Sequence, residues 1–379
     1  MIGSLDITTL QQLWWLLCSV IGSLFLFLTF VQGGQTLLWQ VAKTDDEKSL
    51  VVNSLGRKWE LTFTTLVLFG GALFASFPKF YATSFGGAYW VWTLILFTFI
   101  IQAVSYEYRT KPANLLGAKI YELFMFINGS VGILLIGAAV GTFFTGSNFV
   151  LSEYNFVTWT HPLRGLEAAF SLFNLSLGLF LVFNARTLGA MYLVNNIDFS
   201  INPELEARLR KSALTSFICS LPFILYVLVS LLLMKGFGVD DQGVVSLVTH
   251  KYLGNLLANP WILGLLLGGL VLVIIGVLNT AKSSTKTNGI WFGGPGTVMV
   301  GLAIFFTAGY NNTAFYPSKV DLQSSLTIFN ASSTHYTLTA MTYVAMTIPF
   351  VLAYVAYVWR AMDSRKLTAD EVASDSSAY

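Results

Sequence analysis

The chain has 379 residues, of which 55% are hydrophobic and only 11% charged, with a mean hydropathy of +0.68. So few polar residues cannot clothe a water-soluble fold of this length, and the membrane is the expected solvent. The net charge of +2, with its basic residues scattered rather than gathered, excludes a nucleic-acid surface.

Nine long apolar stretches follow one another: roughly Gln12 to Leu38, Glu60 to Thr83, Ala88 to Tyr106, Lys119 to Phe143, Leu166 to Leu188, Ser212 to Met234, Trp261 to Thr280, Ile290 to Tyr310 and Tyr336 to Arg360. At ~1.5 Å per residue each can cross a hydrocarbon core of about 30 Å. The first is too long for a signal peptide and has no Lys or Arg ahead of it, so it is expected to be a retained helix. Cys18 and Cys219 fall inside spans, where a thiol behaves as a small apolar group, and a structural disulfide is not expected. The longest loops, Gly189 to Lys211 and Lys235 to Pro260, read as short connectors. Within the first of them, Pro203, Glu204 and Glu206 precede Arg208 and Arg210, acids before bases as a helix dipole prefers, and predict an inner extension of the sixth helix. The expected fold is all-α: one transmembrane domain over residues 1–362 and a cytoplasmic, disordered tail over 363–379, where Ser, Ala and Asp leave little to bury. No internal repeat is visible.

The basic residues fix an orientation. With the N-terminus outside, the inner side holds Lys43, Lys48, Arg57, Lys58, Arg109, Lys111, Lys119, Arg186, Arg208, Arg210, Lys211, Lys282, Lys286, Arg360, Arg365 and Lys366. The outer side keeps Lys79, Arg164, Lys235, Lys251 and Lys319, five of twenty-one. The positive-inside rule therefore predicts N-out and C-in.

Acids in or beside apolar spans are the first place to seek chemistry, since a charge in hydrocarbon costs at least ~2.5 kcal/mol. Glu60, Glu107 and Glu122 are expected to gather at the cytoplasmic ends of the second, third and fourth spans. They read either as a proton uptake route or as interfacial acids paired with Arg57, Lys58, Arg109 or Lys119. Glu167, close to Arg164, reads as a local ion pair. The only histidines, His161, His250 and His335, fall outside the spans or at the start of the last one, so none is expected to ligate a haem or another metal from within the membrane. Met125, Met299, Met341 and Met346 read as packing residues, and no Cys-X-X-Cys or phosphate-binding glycine loop occurs. Tryptophans near span ends, including Trp14, Trp15, Trp90, Trp261, Trp291 and Trp359, read as aromatic belts. Gly70 and Gly71, the series Gly129, Gly132, Gly137 and Gly141, and the Gly293 to Gly296 run predict close helix contacts, within the chain or with a partner.

Several segments, in order and across almost the whole chain, resemble subunit II of the cytochrome bd quinol oxidase family. They are Trp14-Trp15-Leu16-Leu17, Asn53-Ser54 with Trp59-Glu60, Gly70 through Pro78, Tyr108-Arg109-Thr110-Lys111, Thr307-Ala308-Gly309 with Tyr316-Pro317-Ser318, and Ser325 through Thr339. Two departures mark a divergent branch. The family's acidic motif at the end of the first helix is replaced by Val31-Gln32-Gly33-Gly34, and its Arg in the third helix is absent around Gln102. Trp59-Glu60 keeps the family's Trp-acid pair, and the departures move the weight of any proton route onto Glu60, Glu107 and Glu122.

The resemblance implies a bacterial cytoplasmic-membrane complex with a subunit I that carries two b-type haems and one d-type haem and oxidises quinol. This chain would ligate none of them, would support its partner and would help deliver protons from the cytoplasm for oxygen reduction. A structural quinone and small accessory subunits are further options the resemblance leaves open, as it does menaquinol against ubiquinol. The competing readings are a proton-coupled secondary transporter, which would show repeats and broken mid-membrane helices, and a scaffold without proton traffic.

Overall fold

The computed structural model describes residues 2–112, 114–282, 285–374 and 379. Among them nine helices are long and apolar enough to cross a membrane: Ile7–Val41, Asp45–Ser76, Tyr89–Tyr108, Ala118–Thr145, Leu172–Asn196, Pro203–Leu233, Pro260–Lys282, Ile290–Gly309 and His335–Met362. They coincide with the nine expected stretches, and several run further. The first is bent, Ile7–Leu28 giving way to Phe30–Val41 at Thr29. The Thr29 hydroxyl donates to the Leu26 carbonyl at 2.7 Å, a back-bond that tilts a helix. The second begins with a polar turn, Asp45–Gly56, capped by the Thr44 side chain, with Asp45, Asp46 and Glu47 on the positive end of the dipole. It stops before Pro78, whose ring disfavours helix at the preceding residue.

The fifth span is the axis of the bundle, with 78% of its apolar window buried against the first, fourth and sixth spans. That approach needs glycine. A Cβ on Gly33 would lie 1.9 Å from the Ala185 carbonyl, and one on Gly189 would lie 2.3 Å from the Gly34 nitrogen. The fourth-span glycines are used in the same way: Gly129 meets the Gln32 carbonyl of the first span, and Gly137 meets Gly178 of the fifth. Gly71 has open space instead, so the second-span pair makes no close helix contact within this chain. The ninth span stands apart, with only 11% of its window buried.

One end of the bundle carries most of the lysines and arginines. There the expected extension of the sixth helix is present: Pro203 opens the helix, Arg210 meets Glu206 at 2.6 Å, and Arg208 meets Glu47 at 2.5 Å. The opposite end is closed by elements not foreseen. A hairpin pairs Phe149–Leu151 with Val157–Trp159, and the supposed connector after Lys235 folds into the hairpin Gly236–Val239 with Val245–Val248 and the helix Lys251–Ala258. Beneath them Trp15, Phe77, Phe80, Phe143, Phe149 and Phe315 form an aromatic cluster of edge-to-face and tilted pairs. Tyr316 is buried in that cap, and burial pushes its phenol above its ordinary range.

The expectation of a disordered tail after Met362 is corrected for its described part. Asp363 forms a 2.9 Å ion pair with the buried Lys58 and accepts from Asn196 at 3.1 Å. Leu367 is buried, and the Leu367 amide and carbonyl bond to Asn196 and Asp198. A short helix, Ala369–Ser374, follows, and Tyr379 exchanges hydrogen bonds with Asn53. A buried apolar side chain, the counterion Lys58 and an Arg57–Glu371 ion pair at 2.5 Å hold a segment whose composition reads as unfolded. Residues 375–378 lie outside the described residues. Cys18 is buried, Cys219 is exposed, and both are free thiols.

Candidate functional site: a polar ladder inside the membrane

Three helices bring polar side chains together in a file that climbs from the basic end into the bundle. On the third span Thr98, Gln102, Tyr106 and Arg109 recur at helical spacing and so share one face. Gln32, Gln35 and Trp39 do the same on the second half of the first span, and the fourth span contributes Glu122 and, where it turns π-helical, Asn128.

The outermost rung is an ion cluster. Arg109 donates to one oxygen of Glu122 from Nε at 3.3 Å and from its terminal nitrogen at 3.1 Å. Trp39 Nε1 donates to the other oxygen at 2.9 Å, and Lys48 Nζ lies 3.3 Å from it. Glu122 is only 2% exposed and Arg109 5%. A buried acid held by two cations and an indole is a structural anchor, because removing either sign strands the other in low dielectric.

Three uncharged rungs lie deeper. Gln35 donates to the Tyr106 hydroxyl at 2.9 Å, Gln32 to the Gln102 side-chain oxygen at 3.4 Å, and Asn128 to the Thr98 hydroxyl at 3.3 Å. From Thr98 to Arg109 the ladder rises about 16 Å, roughly half the hydrocarbon thickness. Its deepest rung sits where the fourth span widens into a π-helical segment, Asn128–Gly132, a distortion that often marks functional positions. The hydrogen-bonding capacity is not filled by protein: Gln32 Oε1, Gln35 Oε1, Gln102 Nε2 and Asn128 Oδ1 are buried without a protein partner. Orphaned amides in hydrocarbon cost ~1–3 kcal/mol each, and water is the group that satisfies them.

The departures noted in the sequence fall on this ladder. Gln32 and Gln102, standing in the region of the family's first-helix acid and third-helix Arg, touch one another. The contact between these two positions is a neutral amide pair.

The candidate acids lie at the same end of the bundle but do not form one site. Glu122 belongs to the ladder. Glu107 is exposed and pairs loosely with Lys111 at 3.8 Å, one helical turn away. Glu60, on the first turn of the Trp59–Ser76 helix, is exposed, and among the described residues no cation lies within ion-pair distance of its carboxylate. Its neighbour Trp59 faces inward and stacks on Tyr106 at 5.6 Å and 9°. The Trp59-Glu60 pair thus straddles the ladder and the outer surface. Glu167 is locally tied, but to His161 at 3.5 Å and to Asn148 at 3.2 Å and not to its sequence neighbour Arg164, whose guanidinium lies over the Tyr89 ring. Gln35, Asn128 and Tyr106 were not singled out from sequence; the i, i+4 recurrence of Thr98, Gln102 and Tyr106 was the available signal.

The three histidines lie at the cap end of the bundle. His250 and His335 bond to the carbonyls of Leu232 and Leu5, and His161 lies against Glu167 in the cap. Among the described residues no group of three His, Cys, Asp or Glu side chains could hold a metal ion.

Comparison with known proteins places this architecture. The sequence pattern of the cytochrome bd terminal oxidase subunit II family matches residues 10–362. The cytochrome bd-I ubiquinol oxidase subunit 2 of Escherichia coli (strain K12) is 27% identical, over 99% of this chain and 100% of its own length. A probable cytochrome oxidase subunit 2 of Haemophilus influenzae is 27% identical over 94% of both chains, and the cytochrome bd ubiquinol oxidase subunit 2 of Bacillus subtilis is 24% identical over 94% and 98%. In fold, the chain is similar to one from the bd oxidase of Geobacillus thermodenitrificans, with a TM-score of 0.66 at 14% identity, covering 94% of this chain and 100% of that one. Nothing among these relatives supports a transporter. The chain belongs to the cytochrome bd terminal oxidase subunit II family, and is a multi-pass subunit of a respiratory quinol oxidase complex, with subunit I, in the bacterial inner membrane.

Proposed function

We propose that this subunit brings protons from the cytoplasm to the oxygen-reducing centre of subunit I, with Glu60 as the group that hands them over. The N-terminus lies outside, so that the basic end and the foot of the ladder face the cytoplasm. The observation that carries the reading is the contrast among the three acids: Glu122 is locked by Arg109 and Lys48, Glu107 has Lys111, and Glu60 stands exposed at the end of an apolar span with, among the described residues, no cation beside it. An acid so placed on a membrane-facing surface is available to a partner subunit. Trp59, packed on Tyr106, ties its position to the polar ladder behind it.

The haems of the complex, two of b type and one of d type, are assigned to subunit I. The donors of this chain do not fit them, because its three histidines are engaged at the cap end, and no step here runs through a haem. Quinol is oxidised on the outer side, and protons are drawn from the inner side, which builds a proton-motive force worth ~2.3 kcal/mol per elementary charge per 100 mV. A structural quinone finds room in an apolar cavity of about 240 Å³ among the fourth to eighth spans, lined by Leu177, Phe180, Ile224, Val300 and Ile304. Accessory subunits, where present, would bind outside the ladder.

The test is Glu60→Gln in the assembled oxidase. Oxygen consumption with a quinol donor should fall at least about tenfold, equivalent to ~1.4 kcal/mol of added barrier, while the haem spectrum of the purified complex stays intact and Glu60→Asp retains most of the rate. A wild-type rate in Glu60→Gln would leave the chain as a scaffold.

A further inference from the structure

The ninth span leaves a wedge between itself and the bundle at the basic end. This cavity, of about 840 Å³, lies among the ends of the first, fifth, eighth and ninth spans. Its wall changes character along the span: Phe27, Trp291 and Trp359 give an aromatic side, while Arg360 and Lys366 bring two cations at the end of the helix and just beyond it. The aromatic rings touch, Trp359 stacking on Phe27 at 6.3 Å and lying 6.3 Å from Trp291. Paired tryptophans with cations just beyond them mark the depth of phospholipid headgroups.

The cations are not spent on the protein. The carboxylate that lines the wedge, Asp363, is already bound by the buried Lys58 at 2.9 Å and by Asn196 at 3.1 Å. Among the described residues no carboxylate lies within ion-pair distance of Arg360 or Lys366; Lys366 only biases the half-buried Asp198 from further off. With Asp363 balanced by Lys58, the wedge presents two unmatched positive charges beneath an apolar wall.

We infer that this wedge is a binding site for an anionic phospholipid, its phosphate between Arg360 and Lys366 and an acyl chain along Phe27, Trp291 and Trp359. The lipid fills the space between the ninth span and the bundle. A basic pocket between helices at the cytoplasmic surface suits such a head, and the low burial of the ninth span explains why the space needs filling.

The experiment uses the complete oxidase complex, extracted in mild detergent, stripped and then supplied with phosphatidylglycerol, and read by native mass spectrometry. Retention of phosphatidylglycerol should drop roughly 30-fold in the double variant R360Q/K366Q, about fivefold for each cation, and should be unchanged in Lys79→Gln at the opposite end. Ala356→Trp, which fills the wedge without touching its charge, should also expel the lipid, and the visible spectrum checks that each variant has assembled. Phosphatidylcholine should not be retained, and excess inorganic phosphate should not displace the bound lipid. Equal retention in wild type and double variant, equal retention of phosphatidylcholine, displacement by phosphate alone, or a small polypeptide in the wedge in place of lipid would each overturn the assignment.

Discussion

Two interior regions of this bundle lie at similar depth and are built from opposite materials. Between the first, third and fourth spans the interior is a file of amides, hydroxyls and one ion cluster. Among the fourth to eighth spans it is an apolar cavity, where Asn184 and Thr297, 3.4 Å apart, are the main polar pair. The polar file leaves four buried amide atoms for water, and the apolar cavity leaves almost none. One half of the subunit can hold a hydrogen-bonded chain, and the other insulates against it. That difference sets the proposed proton route apart from a packing core more sharply than any single acid does.

The largest effect should come from breaking the foot of the polar half. Glu122→Ala strands the buried Arg109, while Lys48 keeps Asp45 at 3.5 Å, and should cost about 3–5 kcal/mol. The expected outcome is loss of assembled complex, seen as lower yield and an earlier thermal transition; unchanged yield and transition would mean the cluster is solvated rather than buried. Next in size is the middle of the ladder. Gln32→Leu and Gln102→Leu interrupt the file but remove orphaned amides, so stability should hold while oxygen consumption falls by about tenfold, or ~1.4 kcal/mol of barrier. Full turnover in both variants would show that protons do not pass along this file. The neutral pair itself can be sharpened into a charged one: Gln32→Asp and Gln102→Arg should each lower the yield, and the double variant should recover it with a coupling of about 1–3 kcal/mol in a mutant cycle. Additive losses would mean that the two side chains do not face each other.

The nine spans were legible because hydropathy summed over twenty residues is insensitive to any one of them. The ladder was not, for the same reason: Gln32 and Gln102 sit in windows that Leu, Phe and Ile dominate, and an amide carries no charge to raise an alarm. Glu122 and Arg109 were each visible as charges at span ends. Their pairing was one of several that the sequence left open, and what selects it is Gly117, at φ 78°, turning the chain between the third and fourth helices. The hairpins of the cap escaped because strands of three or four residues between apolar helices leave no periodic signal. The tail misled for a different reason. Its order rests on the buried Leu367 and on partners some three hundred residues away, Lys58 for Asp363, Arg57 for Glu371 and Asn53 for Tyr379, and composition cannot report any of them.

Smaller effects test the insulating half and the surface. Asn184→Leu places one more apolar side chain in the cavity. Thr297 keeps its 2.9 Å bond to the Gly293 carbonyl, so the substitution orphans nothing and should change stability by less than about 1 kcal/mol with turnover unaltered. A marked loss of turnover would place a polar function in the half described here as insulation.

The smallest change is expected at Glu107. Its carboxylate is 60% exposed and its partner Lys111 lies 3.8 Å away, the geometry of a surface pair that solvent screens almost completely. Glu107→Gln should therefore shift the thermal transition by no more than about 0.5 kcal/mol and leave oxygen consumption at the wild-type rate. The comparison with Glu60 is the useful one. Both are exposed glutamates at the same end of the bundle, with the same charge to lose, and they differ in whether a cation stands beside them. If Glu107→Gln slows turnover as much as Glu60→Gln, the loss follows surface charge at the proton-collecting face and not a particular acid, and Glu60 forfeits its special place.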